Sequence, residues 1–118
     1  MTAKRPDPRR GEVWVANLDP TVGAEIRKTR PVVVVSSDAV RGLPLRTAVP
    51  FMTTDLAPAP WHIAVIASAE NGLDHDTHAD AAQVRTLACE RFVRRIGRLA
   101  DTTMDEIAAG VAMLIEYA

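Results

Sequence analysis

Four consecutive valines, Val32–Val35, are the feature that most narrows what this chain can fold into. They follow Pro31 and are closed by Asp38–Pro44, whose Gly and Pro read as a turn. β-Branched side chains favour extended backbone. An apolar run without polar alternation predicts a strand covered on both faces. Upstream, the stretch EVWVANL from Glu12 to Leu18 is a second strand pattern with no breaker. Between the two lie a turn at Asp19-Pro20 and a polar loop, Thr21 to Arg30, that carries Gly23, Glu25, Arg27, Lys28 and Arg30. Charged groups on a loop held between strands are where binding or catalysis tends to sit, so this loop is the first candidate site.

The remaining pattern is a series of short elements. Leu45 to Thr53 reads as a strand in which Pro50 suggests an edge or a bulge. Asp55 to Pro60 is a proline-punctuated connection, Trp61 to Ala67 is strand-like, and Ser68 to Asp76 is a loop around Asn71-Gly72. Thr77 to Thr86 stays open, since its alanines suit a helix while Gln83-Val84-Arg85-Thr86 alternates as a strand does. Glu90 to Leu99 fits one helical turn or a short strand followed by Gly97. Thr103 to Glu106 matches a capping box, and Met104, Ile107, Ala108, Val111, Leu114 and Ile115 recur at helical spacing. An amphipathic helix is therefore expected from Met104 to about Tyr117. The sum is a mainly β fold, a small twisted barrel or sandwich with one C-terminal helix packed on it.

Composition sets bounds on function. At 118 residues the chain is expected to form one domain, residues 10–118, behind a disordered lead-in over residues 1–9. The basic start MTAKRPDPRR has no apolar stretch behind it, so it is not a signal peptide. No apolar run approaches the roughly 20 residues of a membrane span. A cytoplasmic protein is expected. Cys89 is the single cysteine, which excludes an internal disulfide and a thiolate metal cluster. Net charge is −1, but residues 1–30 hold seven Lys or Arg against four acids, while residues 61–90 hold one Arg against five acids. Any polyanion partner must therefore meet a local basic patch.

At this point the residues take a familiar shape. Gly11-Glu12-Val13-Trp14, Asp19-Pro20 with Gly23 and Glu25, and Arg30-Pro31 before the valines together resemble the MazF/PemK family of toxin–antitoxin toxins. Met52-Thr53-Thr54, Gln83-Val84-Arg85-Thr86 and the closing GRLADTTMDEIAAGVAMLI extend the likeness from about Arg10 to Tyr117. The resemblance implies an SH3-like barrel of the MazF/PemK/CcdB type that forms a homodimer. It implies cleavage of single-stranded RNA at short sequences without metal or other cofactor, under control of a cognate antitoxin. By the same resemblance the catalytic arginine falls on Arg30, the catalytic threonine on Thr53 and the loop glutamate on Glu25.

Those residue types suit the chemistry. RNA carries its own nucleophile, the 2′-hydroxyl, so the protein must move protons and stabilise charge on the phosphoryl oxygens. A planar guanidinium at Arg30 can donate two parallel bonds to a phosphate, Thr53 can donate its hydroxyl, and Glu25 can orient Arg30 or act as base. Arg27 and Lys28 are candidates for phosphate contacts, Gln83 for reading a base edge, and Trp61 for stacking on a base or for packing. His75 and His78, three apart among acids, invite a metal reading that the resemblance does not support. One departure stands out: the family strand before Gln83 is aliphatic, whereas Thr77–Ala82 here is poor in β-formers. Two other functions compete, a gyrase-binding poison of the CcdB kind and an RNA-binding module that does not cut. The expected antitoxin supplies an acidic, disordered segment that folds over the RNA groove.

Overall fold

The computed structural model describes residues 5–53 and 58–117, and the valine run lies at its centre. The strands are β1 (Glu12–Asn17), β2 (Thr29–Val34), β3 (Leu45–Met52), β4 (His62–Val65), β5 (Thr77–Asp80), β6 (Arg85–Ala88) and β7 (Phe92–Arg98), followed by helix α1 (Asp101–Leu114). Pairing is antiparallel in the order β4-β5-β3-β2-β1-β7, with β6 added to β3. The chain is thus mainly β with a C-terminal helix, as its pattern implies. Val32, Val33 and Val34 are fully buried, and strand alternation sends them into two cores. Val33 joins Val49, Phe51, Ile63, Leu99, Met104 and Ile107 on the side closed by α1. Val32 and Val34 join Leu18, Ala48, Leu87 and Phe92 on the other.

Pro50 marks neither an edge nor a bulge. It is buried opposite Val32, in a strand that has β2, β5 and β6 as neighbours. Leu45 to Ala48 pair with β6 and Phe51 to Met52 pair with β5. Val49 and Pro50 fall between those two partners, where a missing N–H breaks no ladder bond on that side.

The undecided segment resolves into β5, a 3-10 turn at Ala81–Gln83, and β6. Strand β5 forms despite its weak propensity because β3 and β4 flank it and Ala79 is buried in the larger core. Thr77 adds a bond from its hydroxyl to the Met52 carbonyl at 2.6 Å. Tertiary pairing has overridden local preference.

Strand β7 runs through Gly97 instead of stopping before it. Here the loop between β4 and β5 lies against the strand, and the Arg98 N–H donates to the Glu70 carbonyl at 2.8 Å. Asn71, itself buried, braces that loop: its side-chain oxygen accepts from Ser68 and Leu73 N–H, and its amide donates to the Ile66 carbonyl.

The capping-box reading of Thr103 to Glu106 fails, because the helix has already begun at Asp101 with Ala100 as its N-cap and no side-chain cap. Leu99 is held in the core with its N–H on the Gly11 carbonyl at 2.9 Å, and the helix starts at once behind it. It ends at Leu114, short of Tyr117. At the other end of the chain, the described part of the expected lead-in packs onto the domain. Pro8 is buried, and its carbonyl accepts from Arg46 Nε at 2.7 Å. Arg46, 4% exposed, pairs with Asp7 at 2.8 Å. Residues 1–4, and residues 54–57 with much of the Asp55–Pro60 connection, lie outside the described residues. No described helix is long and apolar enough to cross a membrane.

Candidate active site

The start of β2 and the end of β3 lie side by side. Their register pairs Val32 with Pro50, and carried two residues outward it sets Arg30 beside Met52 and next to Thr53. Arg30 and Thr53 line a cavity of about 140 Å³ together with Phe51, Leu73, Asp74 and His75. They also line an adjoining hollow of about 240 Å³ with Glu25, Ile26 and Arg27. Buried Phe51 belongs to both, so the polar groups stand over an apolar floor. Arg30 is exposed, and its Nε donates to the Arg27 carbonyl at 3.3 Å. That bond engages one of the five N–H donors a guanidinium carries.

The loop ends at Lys28 and not at Arg30, which the pairing with β1 draws into β2, and each half of it has its own anchors. The Leu18 N–H donates to the Lys28 carbonyl at 2.9 Å, and Lys28 sits at φ +71° in the left-handed region. Arg85 donates to the Leu18 carbonyl at 3.2 Å and Arg91 to the Asn17 carbonyl at 3.1 Å. The Asp19–Pro20 peptide bond is cis. Farther along, Gln83 grips the loop with both ends of its amide: Oε1 accepts from the Ile26 N–H at 3.1 Å, and Nε2 donates to the Ala24 carbonyl at 3.2 Å. Glu25 stands between those two contacts, and its carboxylate accepts from the Val22 N–H at 2.6 Å.

The fold therefore brings Arg30, Thr53, Glu25 and Arg27 together, with exposed Lys28 at the same loop end. Gln83 stands behind them as a brace. Trp61 is elsewhere, half-buried against the larger core at the start of β4. One group escaped the reading of the sequence as a member of this site. His75 Nε2 lies 3.1 Å from Thr53 Oγ1, whereas His78 stands with His62 at a ring separation of 6.1 Å. The two histidines do not form a pair. Among the described residues, no group of three His, Cys, Asp or Glu is placed to hold a metal ion. The local spacing points His75 toward His78 and a metal, not toward Thr53; its place follows from the pairing of β5 with β3, Met52 opposite His78.

If Gln83 fixes the loop, Gln83→Ala removes two hydrogen bonds worth about 1 kcal/mol each. The expected result is a stability loss of about 1–2 kcal/mol in urea, with faster hydrogen exchange at the Ile26 amide. An Ile26 amide as protected as in the wild type would refute the brace.

The sequence pattern of PemK-like, MazF-like toxins of type II toxin–antitoxin systems matches residues 9–115. The chain is 35% identical over 105 residues to the endoribonuclease MazF9 of Mycobacterium tuberculosis, covering 84% of this chain and 88% of that protein. It is 31% identical over 101 residues to the endoribonuclease EndoA of Bacillus subtilis, covering 84% and 86% respectively. Among solved structures, MazF from Deinococcus radiodurans superposes with a TM-score of 0.78 at 20% identity, over 92% of this chain and 96% of that one. A mycobacterial endoribonuclease in complex with its cognate antitoxin gives 0.75 at 22% identity, over 94% and 97%. At such identities the superpositions speak for the fold.

Proposed function

Since the chain belongs to the PemK-like, MazF-like toxins of type II toxin–antitoxin systems, we propose that it is a sequence-specific endoribonuclease that cuts single-stranded mRNA and so inhibits translation. The observation that carries this reading is the meeting of Arg30 and Thr53 at one cavity, flanked by Glu25 on one side. The scissile phosphate sits between Arg30 and Thr53. Arg30 stabilises the negative charge that grows on the phosphoryl oxygens as the 2′-oxygen attacks. Thr53 donates its hydroxyl to the same phosphate, and Glu25 takes the proton of the 2′-hydroxyl. The 2′-oxygen–phosphorus bond forms, the bond to the 5′-oxygen breaks, and the products are a 2′,3′-cyclic phosphate and a 5′-hydroxyl. No metal or other cofactor enters this scheme.

Arg27 and Lys28, exposed on the loop, hold the flanking phosphates. Gln83 serves recognition through the loop it braces. Trp61, half-buried against the core, is proposed only as an outlying base contact. A gyrase-binding poison of the CcdB kind gives no role to the joining of Arg30 and Thr53, and a binding module that does not cut gives none to the Thr53 hydroxyl. Partners follow from the proposal: a second copy of the chain in a two-fold homodimer, and an antitoxin whose acidic, disordered segment folds over the basic loop. The protein acts in the cytoplasm, where its substrate is.

Digestion of a long single-stranded RNA in EDTA, with fragment ends mapped, tests the proposal. Wild type is expected to cut at a repeated short sequence and to leave cyclic phosphate ends. RNA with 2′-deoxy substitution at the mapped position is expected to resist. Cleavage of the deoxy substrate would rule out 2′-hydroxyl attack, and intact RNA with both substrates would remove the enzyme altogether.

A further inference from the structure

The scheme above leaves the departing 5′-oxygen without a proton. Arg30 cannot supply it, because a guanidinium does not release its proton in proteins near neutrality. Glu25 is committed to the incoming oxygen. In an in-line displacement the incoming and leaving oxygens stand on opposite sides of phosphorus, so the proton must come from the other flank of the Arg30–Thr53 pair.

That flank holds a histidine. The cavity of about 140 Å³ that Arg30 and Thr53 share is lined by His75 and Asp74, and Glu25 belongs to the adjoining hollow instead. His75 Nε2 is already at hydrogen-bond distance from Thr53 Oγ1, 3.1 Å. The loop presenting it is tied down at the two residues that follow the histidine. Asp76 accepts from the Ala67 N–H at 2.8 Å, and the Thr77 hydroxyl donates to the Met52 carbonyl, one residue before Thr53, at 2.6 Å. Imidazole is the side chain whose ordinary proton exchange lies nearest neutral pH.

We infer that His75 supplies, through the Thr53 hydroxyl, the proton that the departing 5′-oxygen takes up. As imidazolium it donates Nε2–H to Thr53 Oγ1, which turns the threonine's own proton toward the phosphate. As the phosphorus–5′-oxygen bond breaks, Thr53 passes that proton to the 5′-oxygen and receives one from His75, leaving a neutral imidazole. The proton that Glu25 took from the 2′-hydroxyl balances the sum. Thr53 is then both a phosphate contact and the relay. The assignment rests on the ribonuclease reading given above.

The test separates proton supply from mere positioning of Thr53. Once wild type has shown where it cuts, two short RNAs spanning that site are made, one natural and one with sulfur replacing the 5′-oxygen of the scissile linkage. A thiolate leaves without needing a proton. His75→Gln retains a side chain able to hydrogen-bond Thr53 but has no proton to give. On the natural RNA it is expected to be slower than wild type by about 100-fold or more, the range for a lost acid–base group. On the sulfur-bearing RNA it is expected to come within about ten-fold of wild type. A smaller loss on natural RNA, or a loss that sulfur leaves undiminished, overturns the assignment while the ribonuclease itself stands. A wild type that leaves every RNA intact overturns both.

Discussion

Arg30→Ala is expected to slow single-turnover cleavage of RNA by about 100- to 1,000-fold, the range for removing one preorganised donor from a developing oxyanion. The loss belongs to the chemical step. Arg30 is exposed, and its side chain's one described hydrogen bond runs at 3.3 Å to the Arg27 carbonyl, so the fold does not depend on that side chain. The unfolding free energy from urea titration is expected to stay within about 0.5 kcal/mol of wild type, as for most surface changes. Arg30→Lys is expected to recover little of the rate, because an ammonium keeps the charge but loses the planar fork that matches a phosphate. RNA affinity is expected to fall less than rate, since Arg27 and Lys28 remain on the same loop. An Arg30→Ala protein that cuts within ten-fold of wild type would remove Arg30 from the chemistry and leave the cavity without its charge stabiliser.

The largest expected effect on stability lies far from that chemistry, at Gly97→Ala. A Cβ there would lie 2.2 Å from the carbonyl carbon of Asn71 and 2.5 Å from the Glu70 oxygen. Both are backbone atoms, so no rotamer change relieves the clash. The opposing loop is as tightly fitted: Gly72 holds φ +70°, and a Cβ on it would lie 2.0 Å from the Ile96 oxygen. Separating the loop from β7 also threatens the Arg98 N–H bond to Glu70 and the hydrogen bonds around buried Asn71. Overpacking that moves backbone costs about 3 kcal/mol, which for a chain of this size lowers Tm by on the order of 10 °C. Gly42→Ala is the control, since a Cβ at Gly42 meets nothing within 4 Å. It is expected to change stability by less than about 0.5 kcal/mol. Equal midpoints for the two variants in urea would show that the strand and the loop are not locked together.

The balance between sequence and structure differs from one element to the next. The chain's own pattern was enough for β1, the valine strand, β3 and the terminal helix, because each depends on a local preference: β-branching, the lack of a breaker, helical spacing. It also offered Arg30, Thr53 and Glu25 as candidates, through a resemblance carried by short motifs in a fixed order, and the fold sets them at adjoining hollows. Helix α1 began two residues before the expected cap, since the anchoring of Leu99 fixes where the chain turns and a capping motif does not. Pro50 was misplaced for a related reason. A proline's fitness depends on which neighbour lies on its bare side, and β3 changes neighbours there.

What only the tertiary structure decided is held by contacts between residues distant in the chain. Thr77–Asp80 is a strand because β3 and β4 flank it, against its own propensity. Gln83 is a brace because the loop bearing Ala24 and Ile26 is brought to it across |i−j| of 57 and more. His75, which local spacing linked only to His78, stands 3.1 Å from Thr53 across 22 residues. Side-chain type and short-range spacing are written in the chain. The distance between two side chains on different strands depends on register, and register is fixed only when every strand has found its partner.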